Sequence, residues 1–84
     1  EINFRVRDKD RIISAVRAAY RGGTLSELDG IRLDYPSWWF NLRKSNTEPL
    51  LRLVVEASTR RELEERTAEL KERFRAIDPS IAEE

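Results

Sequence analysis

The sequence predicts an α+β fold, an antiparallel sheet of about four strands with two helices packed on one face. Three observations predict it. Residues 2–7, 31–35, 38–43 and 50–57 alternate apolar with polar or run apolar, as strands do. Two further segments, residues 8–21 and a longer one from Ser58 or Thr59 to Asp78, repeat apolar residues at helical spacing. The order is strand, helix, a run of strands, helix, which builds a sheet with its helices gathered on one side.

The 84 residues make one domain, 1–84. A chain of that length buries only about 60–65% of its unfolded surface, so one modest core is expected. It opens on Glu1-Ile2 without an initiator methionine and is read as a piece of a larger protein. With no cysteine there is no disulfide framework and no thiolate metal site. With no histidine, the usual general base and the commonest metal ligand are both missing, which argues against a self-contained enzyme. No apolar run reaches membrane-spanning length, so no membrane partner is expected. Lysine plus arginine equals aspartate plus glutamate at 16 each, without the basic excess of a nucleic-acid module.

In residues 2–7, period two places Ile2, Phe4 and Val6 on the inner face of a half-buried strand. Asp8 stands where an N-cap stands, its carboxylate able to accept from the free amides of the first turn. Ile12, Val16 and Ala19, with Ile13 and Tyr20 beside them, form the apolar face of the first helix. Gly22-Gly23 ends it, glycine accepting a left-handed cap without steric cost. Residues 24–28 fit a short strand or a loop. Asp29-Gly30 is a strong turn signal. Residues 31–35 form a strand, broken by the Pro36-Ser37 turn. The next strand puts Trp38, Phe40 and Leu42 on one face and Trp39, Asn41 and Arg43 on the other. The longest, residues 50–57, puts Leu51, Leu53 and Val55 inward. Leu50 and Val54 on its second face suggest a central strand covered on both sides.

Thr59-Arg60-Arg61-Glu62 matches a capping box at the start of the last helix. Leu63, Thr67, Leu70, Phe74 and Ile77 give it one stripe. Glu62 with Arg66, and Glu69 with Arg73, are spaced to pair. Asp78-Pro79 stops it, because the residue before proline leaves helical geometry. Residues 79–84 are expected to fray.

The densest chemistry lies between the two long strands, in Arg43-Lys44-Ser45-Asn46-Thr47-Glu48-Pro49. A phosphate accepts bidentately from a guanidinium, and Arg43 at a strand end needs only its tip ordered. Ser45 and Thr47 offer hydroxyl donors and Asn46 an amide. Successive turn amides can form a concave nest for an anion. Lys44 points away if the pleat persists and contributes long-range attraction only. Glu48 is expected to turn aside, pairing with an arginine or with loop amides. Against this stands the plain reading: Ser-Asn-Thr is common hairpin chemistry without any ligand, and an arginine at a strand end is usually solvated.

Those seven residues, followed by Leu51-Arg52-Leu53 and Glu56-Ala57, resemble the C-terminal domain of the α-D-phosphohexomutases, the phosphomannomutase/phosphoglucomutase family. The family pattern is an arginine, a variable residue, Ser-Asn/Gly-Thr, often Glu-Pro, then Leu-Arg and Glu-Ala. Asp29-Gly30-Ile31-Arg32 and Trp38-Trp39 extend the resemblance upstream; before Asp29 it is one of pattern only. Lys44 departs, where many relatives have proline, as does the Pro36-Ser37 turn. The resemblance implies a fold like the TATA-box-binding-protein repeat. It implies a parent enzyme that interconverts hexose 1-phosphate and hexose 6-phosphate through a phosphoserine and a bisphosphorylated sugar, with magnesium on another domain. It further implies that Arg43, Ser45, Asn46 and Thr47 hold the phosphate not being transferred and that the domain helps close the cleft. The partners would then be mannose or glucose phosphates and the enzyme's other domains, in a cytoplasmic setting. The catalytic serine and metal ligands would lie outside this chain, leaving it inactive alone. Asn46 matches the form seen in mannose and glucose enzymes.

Two rivals come from other classes. One is an RNA-binding-like sheet, which needs aromatics on adjacent strands in a basic setting. The other is a regulatory domain without a ligand. Trp38 and Trp39 could form a stacking platform; the competing reading puts one in the core and one on the open face.

Overall fold

A computed structural model describes residues 1–84. Its elements in chain order are β1 (Ile2–Arg5), α1 (Lys9–Ala19), β2 (Thr24–Ser26), β3 (Ile31–Asp34), β4 (Trp38–Lys44), β5 (Leu50–Ala57), α2 (Arg60–Ile77) and β6 (Ala82–Glu83). The six strands form one sheet in the order β2-β3-β4-β5-β1-β6, every pair antiparallel. Both helices pack on the face that carries Phe4, Leu33, Phe40, Leu42, Leu51 and Leu53. Neither helix is long and apolar enough to cross a membrane.

The predicted alternation is the observed one. Trp38, Phe40 and Leu42 are buried, and Trp39, Asn41 and Arg43 turn to the other side. Ile12 and Val16 of α1 and Leu70 and Phe74 of α2 close the core from above. Phe74 meets Phe4 edge to face at 5.1 Å, and Tyr35, Trp38 and Phe40 stack in sequence at 4.9 and 5.5 Å. Asp8 caps α1 through the Arg11 amide, as its position predicted.

Six strands replace the expected four, because two short edge strands join the sheet. Residues 24–26 pair with β3, resolving that ambiguity as a strand. Residues 79–84 do not fray. Asp78 accepts from the backbone and hydroxyl of Ser80, folding the chain back, and residues 82–83 pair with β1. The Glu84 amide then donates to the Asn3 carbonyl and its carboxylate meets Arg5.

Three local details also differ. Helix α1 ends at Tyr20 in extended geometry, and the left-handed residue, Gly22, follows two positions later. Thr59 accepts from the Glu62 amide, but the Glu62 carboxylate takes Ser37 Oγ at 3.0 Å and Arg66 rather than closing the capping box. Glu69 accepts from the Tyr20 hydroxyl and pairs with Arg66, not Arg73, whose guanidinium lies over the Tyr20 ring. Burial, reinforced by the Glu69 carboxylate, holds the Tyr20 hydroxyl in its protonated form well above the ordinary pKa. Strand β5 is central in the ladder, yet no element covers its second face, so that face of the sheet is open.

Candidate functional site

The open face is built by register. Arg43 of β4 lies directly opposite Arg52 of β5, which lies opposite Asn3 of β1. The next open-face row is Arg32, Asn41 and Val54, and beyond it Asp34, Trp39 and Glu56. Like charges facing one another across a ladder repel, so the Arg43–Arg52 pair costs stability unless an anion lies between them. Arg43 meets part of that need from within the chain. Its Nη1 donates to Asp29 Oδ2 at 3.2 Å, and Nη2 lies 3.8 Å from a Glu1 carboxylate oxygen. Arg52 has no such partner. Its Nε is shielded from solvent and bonds to nothing, as is Asn3 Oδ1 across the strand. A shielded donor without a partner costs about 1–3 kcal/mol.

Gly30 explains why Asp29 sits at this arginine. The turn brings the chain so close to β4 that a Cβ on Gly30 would stand 2.3 Å from the Leu42 carbonyl oxygen and 2.7 Å from Arg43 Cα. With its φ at +71°, only glycine fits the position without strain. Asp29-Gly30, read from sequence as a turn, is therefore also the wall against which Arg43 rests.

Beyond Arg43 the β4–β5 hairpin closes with the Ser45 amide bonded to the Leu50 carbonyl at 3.0 Å. Ser45 is the buried member of the loop, and its Oγ accepts long bonds from the Thr47 and Glu48 amides at 3.4 and 3.3 Å. An oxygen that accepts twice keeps its own hydrogen to donate. Asn46 and Thr47 are exposed, and their side chains make no hydrogen bond. The Asn46 amide bonds to no group of the chain. Arg43, Ser45, Asn46 and Thr47 thus gather at one end of the β4–β5 ladder. Ser45 shapes the turn from inside, while the other three present donors.

The first helix braces this loop from behind. Lys9 Nζ donates to the Ser45 carbonyl at 3.0 Å and to the Glu48 carbonyl at 2.9 Å. Lys44 does turn away from Arg43, onto Asp10 of α1 at 2.9 Å. The Val6 amide donates to the Pro49 carbonyl at 3.1 Å. Glu48 pairs with no arginine; its backbone carbonyl and amide, not its carboxylate, tie it to the fold.

Trp38 is buried in the core stack and cannot receive a ligand. Trp39 is the single aromatic of the open face and carries the Arg32 guanidinium 4.0 Å above its ring. Arg32 in turn donates to Asp34 at 3.0 Å, which holds the Asp34 carboxyl below its ordinary pKa. No three His, Cys, Asp or Glu side chains converge as a metal site requires.

Sequence reasoning missed Arg52 and Lys9 at this site. Arg52 was findable: pairing the flanking strands across the loop and counting back sets it opposite Arg43. Lys9 carries no such signal, because only the packing of α1 brings it to the loop.

Comparison with known proteins places the chain in a family. The family described as phosphoglucomutase/phosphomannomutase, C-terminal domain, matches residues 1–73. A phosphomannomutase of Methanocaldococcus jannaschii is 43% identical over 81 residues, 96% of this chain and 18% of that protein. A phosphomannomutase/phosphoglucomutase of Pseudomonas aeruginosa is 39% identical over 85 residues, again 96% of this chain and 18% of its own length. The crystal structure of a phosphoglucomutase/phosphomannomutase family protein from Burkholderia thailandensis has the same fold, with a TM-score of 0.71 at 24% identity over 96% of this chain and 18% of that one. The chain thus spans about a fifth of the length of the relatives it matches. By its sequence, this chain belongs to the phosphoglucomutase/phosphomannomutase C-terminal domain family.

Proposed function

We propose that this domain anchors the non-transferred phosphate of a hexose phosphate in a phosphomannomutase/phosphoglucomutase. The parent enzyme would interconvert hexose 1-phosphate and hexose 6-phosphate through a phosphoserine and a bisphosphorylated sugar, both handled on other domains, and would work in the cytoplasm. The observation that carries the reading is the Arg43–Arg52 cross-strand pair beside a loop with an unbonded Asn46 amide. Two adjacent guanidiniums and a turn amide form a donor set that a dianion satisfies and a neutral group does not.

In this reading Arg43 and Arg52 grip the phosphate oxygens, Arg43 exchanging its exposed contact with Asp29 for a charge-assisted one. Ser45 and Thr47 donate hydroxyl hydrogens, and the Asn46 amide completes the set. Because the reaction leaves a phosphate at one end of the sugar while the other end reacts, a fixed grip on the distal group converts remote binding energy into orientation at the reacting one. The magnesium implied by the family resemblance would be held on another domain of the parent enzyme; in this chain no three His, Cys, Asp or Glu side chains converge. The open face has one aromatic, already covered by an arginine, where an RNA-binding sheet needs several.

The test is an amide NMR titration of the 84-residue chain with mannose 1-phosphate, inorganic phosphate and mannose. Shifts centred on residues 43–47 and on Arg52, seen with both phosphates, absent with mannose and lost in Arg43→Ala and Arg52→Ala, are the expected result. A silent loop at high millimolar phosphate, with Trp39 responding to mannose alone, overturns the reading.

A further inference from the structure

Lys9 is oddly placed for its own helix. It is the first residue of α1, where the unbonded amides give the helix its positive end, and a cation there is unfavourable. Its ammonium turns from the helix to the Ser45 and Glu48 carbonyls, at the two ends of the loop's tight turn. A trans peptide unit is planar, with its C=O and N–H pointing in opposite directions. The Ser45 carbonyl and the Asn46 amide belong to one such unit. Drawing that carbonyl toward α1 therefore turns the Asn46 N–H to the side away from α1. The Glu48 carbonyl belongs to the unit that ends in Pro49, which has no N–H to lose.

We propose that Lys9 is a positioning residue that sets the orientation of the Ser45–Asn46 peptide and so presents the Asn46 N–H to a bound phosphate. The inference rests on the reading of the loop as a phosphate site. A neighbouring contact serves the same end: the Val6 amide fixes the Pro49 carbonyl, so the β1–α1 segment holds the loop at both ends. Lys9 does not touch the anion in this scheme. It acts through the backbone, and its removal lets the peptide turn over and take the donor away.

The test titrates the 84-residue chain with inorganic phosphate by 1H–15N NMR, comparing wild type, Lys9→Met, Lys9→Arg and Lys44→Met. Lys9→Met is expected to weaken phosphate by about ten- to a hundredfold, the range of one hydrogen bond to a charged group, and to abolish the Asn46 amide shift while Arg43 still responds. Lys9→Arg, which can still donate to both carbonyls, is expected to recover most of the affinity and the Asn46 shift. Lys44→Met removes the same charge without freeing a loop carbonyl, and is expected to cost less than about twofold in screened solution. Equal losses in Lys9→Met and Lys44→Met would reduce Lys9 to a distant charge and overturn the inference, as would an unchanged Asn46 shift in Lys9→Met. Wild-type silence would instead remove the phosphate reading itself. Core resonances common to all four proteins report that each is folded.

Discussion

Replacing Gly30 by alanine should cost the fold about 2–5 kcal/mol, and Gly22 provides the internal control. Both glycines have positive φ, +71° and +83°. An L-residue in that region costs about 1–2 kcal/mol whatever surrounds it. At Gly22 nothing lies within 4 Å of the added methyl, so that cost is the whole expectation. At Gly30 the methyl meets the Leu42 carbonyl oxygen at 2.3 Å and Arg43 Cα at 2.7 Å, which are backbone atoms held in the β3–β4 ladder. They can yield only by separating the strands, an overpacking cost of about 1–3 kcal/mol. Urea denaturation measures the difference. With m near 1–2 kcal/mol per molar for a small domain, Gly30→Ala should unfold about 1 M below Gly22→Ala at unchanged m. Coincident midpoints for the two variants would show that the hairpin absorbs the methyl, and that Gly30 is not the wall behind Arg43.

Two further perturbations probe the packing and the charges. Phe74→Ala removes a ring with no exposed surface from its contact with Phe4, and should lose about 3–5 kcal/mol in the same assay; a loss below about 1.5 kcal/mol would mean the core refills the space. Asp78 is held below its ordinary carboxyl pKa of 3.8 by the Ser80 hydroxyl and then by the Arg7 amide. Its folded pKa is depressed, so its contribution is complete above the ordinary value and is lost as pH falls through the lowered one. Between about pH 4 and pH 2, Asp78→Asn should flatten the decline of the urea midpoint relative to wild type; parallel declines would assign the acid sensitivity to other carboxylates, Asp34 among them.

The elements legible in the sequence are those whose periodicity is long enough to exclude chance. The alternation of Trp38 through Arg43 fixed both faces of β4, and the stripe ending at Phe74 and Ile77 fixed α2. Strands β2 and β6 were not legible as such, because three and two residues carry no alternation. What makes them strands is an edge already in place for them to pair with. The C-terminal six residues looked frayed for the same reason: nothing local shows that Asp78 will turn the chain back onto β1.

The loop residues were legible as chemistry, since hydroxyls, an amide and an arginine are unusual at that density. Their division of labour was not. Ser45 looked like a simple donor, yet its oxygen also organises the turn. Arg52 was only one residue of the family pattern until register placed it against Arg43. Lys9 depends on contacts with Ser45 and Glu48 that exist only once α1 has packed.

The order of strands also bears on how the domain forms. Strands β2 to β5 make a meander in which each strand pairs with the next along the chain, so these pairings close short loops. Strand β1 waits for a partner far along the chain, Ile2 for Leu53, and β6 waits for β1. The meander is therefore the natural early structure and the two chain ends its late additions. The loop at residues 45–49 arises within the meander, but Val6 and Lys9, which hold its carbonyls, arrive with the late strand and helix. A partly assembled domain would carry the loop's residues without its shape, and the Thr47 and Glu48 amides, which donate to Ser45, should become protected from exchange only when β1 docks.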